Sequence, residues 1–222
     1  MYNPPVNANP LPLNIREEIA NATTHGIGVV MAIAGIIMLI IAAALRGSAI
    51  HIVSCSVYGA TLVLLYLAST LYHSIPHPRI KSVFHVADHC AIFLLIAGSY
   101  TPFALVTLHG VAGWWLFGIV WGIALAGIIL KLFLTGRFRW VSSFAYLGMG
   151  WLVVFFMRPL IDSLHPLGVF WLAAGGIAYS VGVVFYMWTN FSYSHAIWHI
   201  FVMTGSACHY VAVFLYVLPR SP

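Results

Sequence analysis

Apolar residues along the chain fall into seven runs, roughly 24–45, 50–74, 86–108, 113–133, 140–158, 167–189 and 195–218, separated by short polar stretches. Each is close to the twenty or so residues that an α-helix needs to cross a bilayer. The pattern predicts an all-α integral membrane bundle of seven transmembrane helices, with residues 16–222 as a single domain. Residues 1–15, "MYNPPVNANPLPLNI", are rich in Pro and Asn and read as a flexible, extended tail. They lack the basic start and apolar core of a cleaved signal peptide.

Within the runs, small residues recur at close spacing, as in "GIVWG" with Gly118 and Gly122 and in "AAGGIAYSVG" from Ala173 to Gly182. Such residues let helix backbones approach closely in lipid, and both stretches are expected at helix–helix contacts. Pro102, in "SYTPFALV", removes a backbone donor within the third run, so a local kink is expected there.

Composition agrees with the runs. The 222 residues are 62% hydrophobic and 6% charged, with a mean hydropathy of +0.99, whereas soluble domains are about 25% charged. Seven spans leave no room for a sizeable soluble domain, so the function sits in or against a membrane, expected to be the plasma or inner membrane of the cell. The net charge of +5 comes from nine basic residues scattered between the spans against four acids. That distribution speaks for membrane orientation and against nucleic-acid binding. Arg16, Arg79, Lys81, Lys131, Arg137 and Arg139 share the side of the N-terminus, and Arg46, Arg158 and Arg220 lie on the other. The excess puts the N-terminus in the cytoplasm and the C-terminus outside. Cys55, Cys90 and Cys208 are odd in number and lie in apolar runs, which argues against a disulfide framework.

The polar residues inside the runs are not scattered. His25 begins the first span, His73 ends the second, Asp88 begins the third, and His195 with His199 begins the seventh, so all stand at one membrane face. His51, His109 and His165 fall toward the opposite face. His209 lies ten residues beyond His199, ~15 Å along the helix, too far to share a small site with it. His195 and His199, four apart, point the same way; Ser69 and His73 repeat the spacing; Glu18, Asn21 and His25 form a third helical stripe. Asp88 is the one acid expected at the edge of the hydrocarbon, where a carboxylate is costly unless paired, protonated or facing a polar cavity.

Three neutral imidazoles and an open position make a catalytic zinc site, whose bound water ionises near pH 7. His195 and His199 offer two ligands and His73 the third, with Asp88 as proton acceptor and Ser69 as an orienting hydroxyl. Spacing alone leaves a rival set open: His85 and His89 are also four apart, flank Asp88 and could join His73. Ser69 could equally bond back to its own helix, and Glu18 and Asn21 could cap the first helix.

Taken together, Glu18-x-x-Asn21-x-x-x-His25, Ser69-x-x-x-His73 with Asp88 following, His195-x-x-x-His199, and "IAGSYTPF" at 96–103 resemble the hemolysin III family and its relatives, the progestin and adipoQ receptors. The resemblance runs from residue 16 through nearly the whole chain. It implies a seven-helix bundle with a cytoplasmic N-terminus and zinc held by His73, His195 and His199, with a water toward Asp88 and Ser69. It implies that His85 and His89 are not ligands. In adiponectin receptors such a site is associated with ceramide hydrolysis, whereas the name hemolysin comes from a cell-lysing activity. Only about 15 residues precede the first motif, far fewer than in the receptors, which speaks against hormone reception.

Three functions follow as expectations: a zinc-dependent hydrolase of a lipid amide or ester, with membrane lipids as partners and substrate; a lytic or pore-forming protein with a structural zinc; and a membrane sensor. The spans show no polar stripe running from face to face, which argues against a pore made by one chain and leaves oligomeric pores open.

Overall fold

The structure, a computed structural model, describes residues 14–134, 139–188 and 190–219. Among them no strand occurs, and seven helices are long and apolar enough to cross a membrane: α1 (Ile15–Arg46), α2 (Ala49–Ser74), α3 (Pro78–Leu108), α4 (Gly110–Phe133), α5 (Trp140–Ser163), α6 (Pro166–Met187) and α7 (Ser194–Val217). Most of the expected tail lies outside the described residues, as do Arg137 and Arg220 from the orientation argument. Ile15, placed in the tail by sequence, is the first residue of α1.

Two helices start earlier than their apolar runs. α1 gains the polar turns from Ile15 to Thr23 and α3 those from Pro78 to His85. Hydropathy passes over these turns because they are polar; Glu18, Asn21 and Lys81 among them find partners inside the bundle, whereas Arg16 and Arg79 are exposed. Local chemistry still marks the starts: Glu17 and Glu18 stand in the first turn of α1, where the helix dipole favours anions, and Pro78 occupies the first turn of α3.

The histidines assigned to the opposite face do local work at helix ends. His51 Nδ1 accepts from the Ser48 backbone N–H at 3.1 Å at the start of α2. His165 Nδ1 accepts from Leu167 N–H at 3.2 Å at the start of α6. His109, at φ 36°, makes the turn into α4 with Gly110 at φ 54°. Glycine takes that left-handed backbone without strain.

α3 is the central helix: 72% of its most apolar stretch is buried, against 17–44% in the other six. α1 packs on α2, α2 on α3, α3 on α4 and α6 on α7, and α7 closes against α1. The core-facing stripe of α1 reads Asn21, His25, Gly28, Ala32, Gly35, Leu39, at helical spacing. Large apolar side chains such as Val30, Leu45, Phe133 and Phe155 point outward, as expected where the surrounding solvent is lipid.

The small residues divide. A Cβ at Gly175 or Gly182 would strike His209 or Phe201, so α6 and α7 do meet at glycines. Gly118 and Gly122 have open space around them instead. α4 turns Leu116, Val120 and Ala124 inward, and a residue two positions off that stripe faces away from the bundle. At Pro102 the α-helical part of α3 ends and Phe103–Leu108 continues as a wider π-helix, one recognised way of absorbing the lost donor.

Candidate functional site

Four helix ends converge at one end of the bundle. His73 comes from the last turn of α2, and His195 and His199 come from the first two turns of α7. One ring nitrogen of each lies within 4.8 Å of the others, and this is the group of three or more His, Cys, Asp or Glu side chains so placed among the described residues. The ring centroids are 4.6–5.3 Å apart. His73 and His199 are buried and His195 is partly so.

The outer ring nitrogens are taken. His73 Nδ1 donates to Glu18 Oε2 at 3.1 Å, and the same oxygen accepts from Lys81 Nζ at 2.9 Å. Lys81 also donates to the Tyr72 carbonyl at 2.9 Å and lies over the Tyr72 ring. The Asn21 amide is a longer neighbour of His73 Nδ1, at 3.5 Å. His199 Nδ1 faces the Asn21 carbonyl at 3.2 Å and Thr24 Oγ1 at 3.1 Å. Thr24 spends its own proton on carbonyls of α1, so its oxygen accepts from the ring. Both rings therefore carry the proton on Nδ1, and their Nε2 atoms are left buried without a hydrogen-bond partner.

An unpartnered buried nitrogen is costly, and a metal ion is one way to satisfy it. Ligands ~2.0–2.1 Å from a zinc ion stand ~3.3 Å apart in tetrahedral geometry. The ring nitrogens, all within 4.8 Å of one another, would draw together around such an ion. Histidine ligands whose far nitrogen is held by a carboxylate or carbonyl are the usual arrangement around such ions. The residues present thus fit a divalent ion such as zinc.

The other predicted site residues surround this group. His25 stacks on His199 with centroids 3.5 Å apart and planes 9° from parallel. Asp88 is buried at 3% exposure. Ser69, one turn before His73, does not bond back to its own helix, unlike Thr70 beside it, which donates to the Tyr66 carbonyl. The Ser69 hydroxyl instead faces the Asp88 carboxyl. Glu18 and Asn21 are turned to the histidines and do not cap α1. The rival set is not assembled: His89 Nδ1 donates to the His85 carbonyl at 2.9 Å, and the His85 ring stacks on Tyr72.

Lys81, Thr24 and Glu17 were not expected in the site. Glu17 Oε1 accepts from the Tyr193 backbone N–H at 3.2 Å, and Tyr193 at φ 58° turns the chain into α7 just ahead of His195. Lys81 registered only as a positive charge beside a span; its pairing with Glu18 depends on how α1 and α3 lie, which no spacing reveals.

A seven-span helical membrane protein with a cluster of three histidines at one end of its bundle is the class that fold and site define. The sequence matches the family described as Haemolysin-III related over residues 13–210, and the chain belongs to that family. It is 50% identical over 207 residues to Hemolysin-3 of Bacillus cereus, covering 93% of this chain and 94% of that one. It is also 50% identical over 202 residues to the Hemolysin-3 homolog of Bacillus subtilis (strain 168), covering 91% and 95%. The Monocyte to macrophage differentiation factor of Homo sapiens is 34% identical over 215 residues, covering 93% and 86%.

Proposed function

We propose that this chain is a zinc-dependent membrane hydrolase acting on an amide or ester bond of a lipid. The observation that supports the reading most is the pair of buried Nε2 atoms on His73 and His199, their rings held from behind by Glu18 and Asn21, beside His195. Zinc held there would supply a Lewis acid and an acidified water at neutral pH. His73, His195 and His199 hold the ion. Asp88, on α3 and facing Ser69 of α2, takes up and returns a proton, and Ser69 orients its carboxyl. The cluster lies at one end of the bundle of spans, which is where a lipid's head group would meet its chains.

The test is metal analysis of purified protein joined to a lipid-product assay. His195→Ala should lose stoichiometric zinc and hydrolysis together; hydrolysis that persists without metal overturns the reading.

A lytic function is the second reading, favoured by the name of the Bacillus relatives. Zinc would then be structural. Asp88→Ala separates the two: it abolishes hydrolysis in the first case and leaves lysis intact in the second.

A further inference from the structure

α1 brings two neighbouring acids to the histidine cluster and sends them in different directions. Successive residues of a helix diverge by about 100°, so Glu18 turns to His73 of α2 while Glu17 turns to the chain that enters α7. The first contact holds a candidate ligand directly. The second holds the backbone on which another ligand stands.

That backbone makes a tight turn. Ser194 N–H donates to the Phe191 carbonyl at 3.1 Å, and Ile197 N–H donates to the Tyr193 carbonyl at 3.0 Å, opening the helix. Tyr193 itself is left-handed, at φ 58° and ψ 15°. Gly, Asn and Asp enter that region readily, whereas a bulky side chain does so at a cost. A helix start is more often extended at this position, with a Ser, Thr, Asp or Asn side chain bonded back to the first turn, and Tyr193 makes no such bond. Local sequence does not favour the turn, and a residue kept in such a conformation is held there by its surroundings.

Glu17 supplies a hold. Its Oε1 accepts from Tyr193 N–H at 3.2 Å, across 176 residues of chain, and its charge lies at the N-terminal end of α7, where the helix dipole favours an anion. His195 is the second residue of α7, in the turn that frays first at a helix end. His199 stands one turn deeper, where the Asn21 carbonyl and Thr24 face its ring. Relaxation of the turn at Tyr193 would therefore move His195 relative to His73 and leave His199 anchored.

We propose that Glu17 is a positioning residue for the metal: by holding the left-handed turn at Tyr193, it aims His195 at the ion shared with His73 and His199. This rests on the zinc reading above and adds to it a residue that touches none of the three ligands.

The test is the zinc affinity of the purified full chain in detergent, measured by competition with a chelator, with the visible absorption of the cobalt-loaded protein as a second readout. Glu17→Ala should bind zinc about tenfold more weakly, the low end of the cost of losing a partner that orients a ligand. It should also alter the cobalt spectrum, which follows ligand geometry and not fold stability. Glu17→Gln keeps the acceptor and loses only the charge, so its affinity should fall by no more than about threefold. Adding Tyr193→Asn to Glu17→Ala should recover most of the loss, because Asn takes the left-handed conformation at little cost. Unchanged affinity and spectrum in Glu17→Ala, or a loss that Tyr193→Asn does not recover, overturns the proposal alone. Unmodified protein that takes up no zinc overturns the metal reading and this proposal with it, whereas zinc bound without lipid turnover defeats the hydrolase reading and leaves the role of Glu17 standing.

Discussion

Glu18 Oε2 stands 3.1 Å from His73 Nδ1 and 2.9 Å from Lys81 Nζ, so one carboxylate oxygen joins α1 to both α2 and α3. The carboxylate orients the His73 ring, and Lys81 holds the carboxylate. Glu18→Ala should weaken zinc binding by roughly 10–100-fold, the usual cost of losing such a partner. Lys81→Met should act in the same direction and less. Zinc competition against a chelator of known affinity measures both; unchanged affinity in Glu18→Ala would show that the contact is structural only.

His25 supports the cluster in another way. Its ring covers one face of His199 at 3.5 Å and meets Tyr66 edge-on at 5.1 Å. His25→Ala leaves a buried void under a candidate ligand and should cost on the order of 2–4 kcal/mol of stability, as large-to-small changes in packed interiors do. His25→Phe preserves the stacked face and should recover most of it. Thermal unfolding of the two variants in one detergent is the measurement, and equal midpoints for both would contradict the packing role.

How far the sequence reaches can be seen in these same residues. Period-3.6 spacing put Glu18, Asn21 and His25 on one face, span counting carried them to the membrane face of His73 and His199, and the structure brings them into contact. The Glu18–Lys81 pairing was hidden, because charge near a span end reads as orientation and hydropathy stops short of the polar first turns of α1 and α3. His85 and His89 share the four-residue spacing of His195 and His199, and only the packing of Tyr72 and the tyrosines around them shows them engaged elsewhere. Gly118 and Gly122 misled for a related reason: the sequence shows which residues are small, but not which side of α4 meets a neighbour.

The glycines offer a paired test of helix packing. A Cβ at Gly59 would meet the branched side chain of Ile36 below ordinary contact distance, whereas one at Gly118 would meet nothing within 4 Å. Gly59→Ala must push α1 and α2 apart and should cost about 1–3 kcal/mol. Gly118→Ala should be neutral or slightly stabilising, since alanine is the better helix former. Chemical denaturation in mixed micelles ranks the two; a Gly118 variant as damaged as the Gly59 variant would mean that α4 has a partner on its outer face.

Sidedness yields a last prediction. Arg16, Arg79, Lys81 and Lys131 lie at the end of the bundle that carries the histidine cluster, and Arg46 and Arg158 lie toward the other. If basic residues stay on the cytoplasmic side, the cluster opens to the cytoplasm, and a lipid substrate of the proposed hydrolase would come from the inner leaflet. The odd number of spans then puts the C-terminus outside. A phosphatase fused after Pro222 should be active, because that enzyme folds only outside the cytoplasm, and a fluorescent protein that matures only in the cytoplasm should stay dark in the same position. The opposite pattern would turn the bundle over and give the site to the outer leaflet, leaving its internal geometry unchanged.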